Sequence, residues 1–248
     1  MKDTPFENLK IGEITHQWAR SNGIKSVYAS SMDSTNNRAK ELAFDKEMLE
    51  QDFFLVLADH QSRGRGRGQN RWESSPGAAL LSSWVFSISA PPRPTFSPRL
   101  GLALYRSASS TWPTLDFALK APNDLLLGTR KVAGLLVEVV SQGDEHRLIV
   151  GLGLNVFTSP ELPSATSLLE SMPEGVPLLG ADWVHFLERW LFELTLILPA
   201  ASEELDPNLR AGLRLALNKN SLLSDPYTLI EADGTLVTEK SRIHWSNL

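Results

Sequence analysis

The chain has 248 residues, 42% hydrophobic and 21% charged, a balance that excludes a disordered chain and predicts one or two globular domains. A formal net charge of −5 argues against a general nucleic-acid binder, and the lack of cysteine excludes disulfides, thiolate metal sites and cysteine nucleophiles. No apolar run approaches the roughly 20 residues that span a bilayer and the first residues lack the apolar stretch of a secretory signal, so a cytoplasmic protein away from membranes is expected.

Phe6, Leu9, Ile11, Ile14 and Trp18 recur near helical spacing until Asn22-Gly23 stops the pattern, leaving no room for a winged helix-turn-helix before a first strand at Val27-Tyr28. Ser34 or Thr35 then reads as the N-cap of a helix through residues 38–43, a hydroxyl-rich start that also suits a small ligand. Residues 53–58 read as a buried strand, and residues 79–88 as a long one. Ser97-Pro98 looks like a cap followed by a first-turn proline, opening a helix through Ala108.

Two apolar arms follow, residues 115–127 and 130–140, with a turn at Gly128-Thr129, and residues 147–156 add a third arm interrupted by Gly151 and Gly153. Glu138 lies inside one of these apolar runs and needs a partner or an exposed face. Residues 160–179 read as loop, residues from 181 to Pro199 as an amphipathic helix, and residues 218–248 as a small β-rich piece with a turn at Asp233-Gly234.

Between the strands at 53–58 and 79–88 lies Gln61-Ser-Arg-Gly-Arg-Gly-Arg-Gly-Gln-Asn-Arg-Trp72. Gly64, Gly66 and Gly68 free the backbone to turn successive N–H groups toward one point, and Arg63, Arg65, Arg67 and Arg71 surround it with guanidinium forks suited to carboxylate or phosphate. Trp72 offers a flat face to a base or a core. A loosely RNA-binding arginine-glycine segment is the competing reading, and the strand-like sequence on both sides counts against it. The five histidines are scattered without ligand spacing, and neither a Gly-x-Ser-x-Gly elbow nor a Walker loop is present.

Six motifs, in order, carry a family likeness: Ser34-Thr35-Asn36; Gln61 with residues 64–67 and Trp72; Lys120 with Pro122-Asn123-Asp124; residues 130–138; residues 151–156; and Ala165-Thr166-Ser167-Leu168. Together they span roughly residues 27–170, and over that stretch the chain resembles the biotin protein ligases of the biotin and lipoate ligase superfamily. The resemblance implies an α/β (α+β) fold: a mixed, mainly antiparallel sheet with helices packed on one face, like class II aminoacyl-tRNA synthetases, over residues 1–200, and a shortened β-rich appendage over residues 201–248.

It also implies that biotin and ATP, with Mg²⁺, form biotinyl-5′-AMP, and that a lysine of a biotin carboxyl carrier protein takes the biotin. On the matching positions, Ser34, Thr35, Asn36, Gln61, Arg65 and Gly134 would bind biotin, and Arg67, Trp72, Asn123, Lys131 and Asn155 the nucleotide. Lys131 and Arg65 would be catalytic, and Asp124 would help place Mg²⁺. Direct DNA binding is not expected, and a homodimer through the sheet is compatible with the family.

The chain departs from the family pattern at Gln69, Asn70, Ala79-Leu80-Leu81 and Ala121, where glycine, arginine, an Asn-Leu-Tyr-type run and tryptophan are usual. An arginine lost at Asn70 removes a charge-assisted contact of about 1.5–3 kcal/mol. A paralogue that binds biotin or its adenylate without efficient transfer is therefore the alternative.

Overall fold

The computed structural model describes residue 6, residues 9–50 and residues 53–248. Residues 1–5, on which the expectation about a secretory signal falls, lie outside the described ones. In chain order the elements are α1 (Ile11–Ser21), β1 (Ser26–Ala29), α2 (Thr35–Leu42), β2 (Phe53–Ala58), β3 (Ala79–Ile88), α3 (Phe96–Thr111), β4 (Phe117–Lys120) and β5 (Asp124–Leu127). There follow β6 (Arg130–Gln142), β7 (Glu145–Asn155), α4 (Leu168–Ser171), α5 (Gly180–Ile197), α6 (Pro207–Asn218), β8 (Leu229–Ile230), β9 (Thr235–Val237) and β10 (Arg242–His244).

The seven-stranded sheet runs β1-β2-β3-β7-β6-β5-β4. Only the β1–β2 pair is parallel among the pairings with a described register; β2–β3, β3–β7, β6–β7 and β4–β5 are antiparallel. This is the mixed, mainly antiparallel sheet that the resemblance implies. Contacts along the chain divide it into two compact units, one holding residues up to Pro91 with Ala133–Gly180, the other Pro92–Val132 with Ala181–Leu248. The boundary expected at 200/201 falls inside the second unit.

In the first unit, β2 and β3 are buried over nearly their whole length, so both of their faces need cover. Side chains alternate along a strand, and the register puts Phe54 with Val85 on one face and Leu55 with Trp84 on the other. Ala39 of α2 packs with Phe54, Val56, Val85 and Ile149, whereas Trp18 of α1 meets Trp84 at 6.3 Å between ring centres. Helices thus take both faces here, not the single face that the resemblance implies, because these strands carry apolar residues at odd and even positions alike.

In the second unit Phe186 of α5 packs against Trp112 and Trp183 at 5.3 and 5.5 Å. Helix α3 starts at Phe96 with Thr95 at its N-cap, earlier than Ser97-Pro98 suggests. The Thr95 hydroxyl donates to the Glu203 carbonyl instead of capping α3. Helix α6 is absent from the sequence expectations, although Asp206-Pro207 is a capping signature: the Asp206 carboxylate accepts from the N–H groups of Asn208 and Leu209. The β-rich piece is a three-stranded antiparallel sheet, β10-β9-β8, with Gly234 at φ 92° in its turn.

Candidate active site

In the first unit the site is built on the α2 face of the sheet. Gly151, Gly153 and Asn155 alternate along β7, and the register places Gly134 of β6 opposite Gly153 and Ser83 of β3 opposite Gly151. Two neighbouring strands therefore share a strip without side chains, bordered by polar groups.

The first border is the start of α2. The sequence predicts that a hydroxyl of Ser34 or Thr35 caps this helix; Ser34 does hold the N-cap position, but neither side chain caps. Gln61 caps it from outside: its Oε1 accepts from the Thr35 N–H at 2.6 Å and the Thr35 hydroxyl at 3.1 Å. A parallel bridge between Met32 and Gln61 sets this reach. Ser34, Thr35 and Asn36 are all buried.

Asn36 turns toward the sheet. Its Oδ1 accepts from the Ser83 hydroxyl at 2.5 Å, its Nδ2 donates to Glu138 at 2.9 Å, and a Cβ on Gly151 would collide with its amide. Glu138 finds its partners here. Arg65 grips both carboxylate oxygens at 3.0 and 3.1 Å, and Lys40 donates at 2.7 Å. Burial pushes the Glu138 carboxyl upward, but hydrogen bonds from Lys40 and Asn36 and the charges of Lys40 and Arg65 outweigh it, so the group sits below the usual carboxylate range.

The arginine-glycine segment is a folded loop. Gly66 N–H donates to the Asn70 carbonyl at 2.8 Å and Trp72 N–H to the Gly64 carbonyl at 3.1 Å. Gly64 is required because a Cβ there would meet the Trp72 carbonyl, and Gly68 because its φ is 65°. Asn70 serves the loop through its backbone, a role that any residue with this backbone geometry performs. Arg67 is exposed, and the Trp72 indole lies so close to Gly153 that a Cβ on that glycine would come within 2.5–2.8 Å of its ring. Asn155 is buried; its Nδ2 donates to the Thr166 carbonyl at 3.0 Å, while its Oδ1 has no hydrogen-bond partner among the described residues.

The second unit gathers the other predicted residues. Lys120 pairs with Asp124, so residues 121–123 form a tight turn that splits the arm read as continuous into β4 and β5. Asp124 Oδ1 stands 2.6 Å from Lys131 Nζ, and Asn123 beside it is half-buried. The Trp245 indole N–H donates to the Pro122 carbonyl at 3.1 Å, a support that no local pattern in the sequence signals. Among the described residues no group of three or more His, Cys, Asp or Glu side chains could hold a metal ion. No described helix is long and apolar enough to cross a membrane.

A model of the biotin/lipoate A/B protein ligase family matches residues 28–155, more than half of the chain. The chain belongs to that family. Among curated relatives of this ligase family, the bifunctional ligase/repressor BirA of Bacillus subtilis is 30% identical over 169 residues, 64% of this chain and 50% of the relative. The biotin–[acetyl-CoA-carboxylase] ligase of Mycobacterium tuberculosis is 36% identical over 126 residues, 48% of this chain and 46% of the relative. The chain thus spans about half the length of the curated relatives it matches. The biotin protein ligase of Aquifex aeolicus, solved in complex with biotin and ATP, superposes with a TM-score of 0.65 at 22% identity, over 90% of this chain and 97% of that one. At that identity the likeness establishes the fold.

Proposed function

We propose that the chain is an ATP-dependent biotin–protein ligase: it joins the biotin carboxylate to AMP and passes the biotin to a lysine of a carboxyl carrier protein. The observation that carries this reading is the side-chain-free strip of Gly134, Gly151 and Gly153, bordered by buried amides and hydroxyls, with the Asn155 acceptor unpartnered among the described residues. A flat apolar ring system with a few directed polar groups suits such a wall. The names of its relatives point the same way.

In the first step a carboxylate oxygen attacks the α-phosphorus and pyrophosphate leaves, so two anions must be held together while further charge develops. Ser34, Thr35, Asn36, Gln61 and Gly134 would seat biotin, with Arg65 at its carboxylate. Arg67, Trp72, Asn123 and Asn155 would take the nucleotide, and Lys131 would neutralise the carboxylate and the α-phosphate together. Mg²⁺ is commonly held by one or two carboxylates plus substrate phosphates; Asp124 would supply the protein's share and keep its hold on Lys131. In the second step the carrier's amine attacks the acyl carbon, loses a proton and expels AMP.

The test is pyrophosphate release with biotin, Mg²⁺ and ATP, followed by transfer of label to an isolated carrier domain. Activity in both stages supports the ligase. Adenylate formation without transfer would favour the paralogue that keeps its adenylate, and failure of both stages together with absence of biotin binding in calorimetry would refute the reading.

A further inference from the structure

We propose that Glu138 is a positioning residue: it holds the Arg65 guanidinium, and through it the 63–72 loop, against the first turns of α2, ready for an anionic ligand. The inference rests on the reading of the site given above, in which Arg65 meets a carboxylate.

Glu138 sits on β6 between Val137 and Val139, with its side chain only 17% exposed. Such a carboxylate is costly to bury unless its lone pairs are filled. Each oxygen takes two donors: Oε1 from Lys40 at 2.7 Å and Arg65 at 3.0 Å, Oε2 from Asn36 at 2.9 Å and Arg65 at 3.1 Å. Arg65 also donates to Asn37 Oδ1 at 3.2 Å. The paired Arg65 bonds fix the plane of the guanidinium, which a single contact would leave free to swing.

The charge count separates this network from a closed structural ion pair. Two cations, Lys40 and Arg65, face one carboxylate, so the cluster keeps a formal charge of +1 and still attracts an anion. Glu138 thus orders the arginine without cancelling the charge that the ligand needs. The same carboxylate fixes Asn36, whose other end packs on Gly151 and Ser83, so helix, loop and sheet share one anchor.

The experiment compares the full-length protein with Glu138→Gln, Arg65→Gln and the double variant, each first checked by thermal melting. Glutamine keeps the shape of Glu138 and loses the paired ionic contact. Glu138→Gln is expected to weaken biotin binding in calorimetry about tenfold, while the KM for ATP changes less than about twofold in the pyrophosphate assay. The double variant should bind no more weakly than Arg65→Gln alone, because Glu138 acts through Arg65. Trypsin, which cuts after arginine, should cleave the loop several-fold faster in Glu138→Gln. Tighter biotin binding in Glu138→Gln, additive losses in the double variant, or unchanged loop cleavage would each overturn the proposal. Should the unaltered protein bind no biotin, the ligase reading falls, and the cleavage comparison still decides whether Glu138 holds the loop.

Discussion

Two charged clusters in this molecule use the same chemistry and differ in wiring. Glu138 collects Asn36, Arg65 and Lys40 from chain positions 102, 73 and 98 residues away, whereas Asp124 meets Lys131 across one hairpin turn. The first exists only once α2, the arginine loop and β6 have assembled. The second depends on a local turn. A cluster wired across the fold couples stability to the site, whereas a cluster wired locally leaves its lysine available for chemistry at little structural cost.

The largest expected effect tests the local side of that contrast. Lys131→Met should lower biotinyl-adenylate formation by about 10²–10³-fold, the usual loss when one group stabilising developing charge is removed. Its Tm should fall less than that of Glu138→Gln, because the Lys131–Asp124 pair joins neighbours across one turn whereas Glu138 joins α2, the arginine loop and β6. A melting loss as large as that of Glu138→Gln would break the comparison.

Gly153→Ala sharpens it from the other side. A Cβ placed 2.5–2.8 Å from the Trp72 ring must displace the indole or the strand, at a cost of about 1–3 kcal/mol. Both the urea midpoint and the KM for ATP should move, because fold and site share the same contact.

The sequence was legible where the causes are local and obscure where they are not. Strands β2 and β3 stand at residues 53–58 and 79–88 as read, because apolar runs bounded by glycine, proline and polar residues leave few alternatives. The start of α3 differs from the expectation because Ser97-Pro98 imitates a cap, while the helix begins beside Thr95, whose hydroxyl is occupied by the Glu203 carbonyl 108 residues on. The need of Glu138 for a partner was legible, but no pattern could name partners 73 to 102 residues away. Gln61 was singled out by its motif, and only the folded chain reveals it as the cap of α2.

Trp245 adds a long-range support to the local cluster. Its indole N–H reaches the Pro122 carbonyl next to Asn123 and Asp124. Trp245→Phe keeps a ring and removes that donor, so a loss of about 1 kcal/mol in urea denaturation is expected. The KM for ATP should rise about two- to fivefold with the affinity for biotin unchanged. An unchanged KM would mean that the turn holds itself, and the local cluster would be local in full.

The smallest effect is a pH dependence, and its sign follows from the direction of the Glu138 shift. Hydrogen bonds and cations hold this carboxyl below its ordinary 4.5 in the folded chain, against the upward push of burial, so the folded state prefers the ionised form more than the unfolded state does. The stability it contributes is therefore complete above about pH 4.5 and is lost as the pH falls through the lower, folded-state value. Asp33, Glu170 and Asp233 are also held low, so the raw acid-denaturation curve mixes several carboxylates. The difference between the unaltered protein and Glu138→Gln cancels those shared groups. That difference should stay level from about pH 8 to about pH 5 and shrink below it. A difference that grows on acidification would mean that the carboxylate is strained in its cluster, and the wiring of the first region would then oppose the fold.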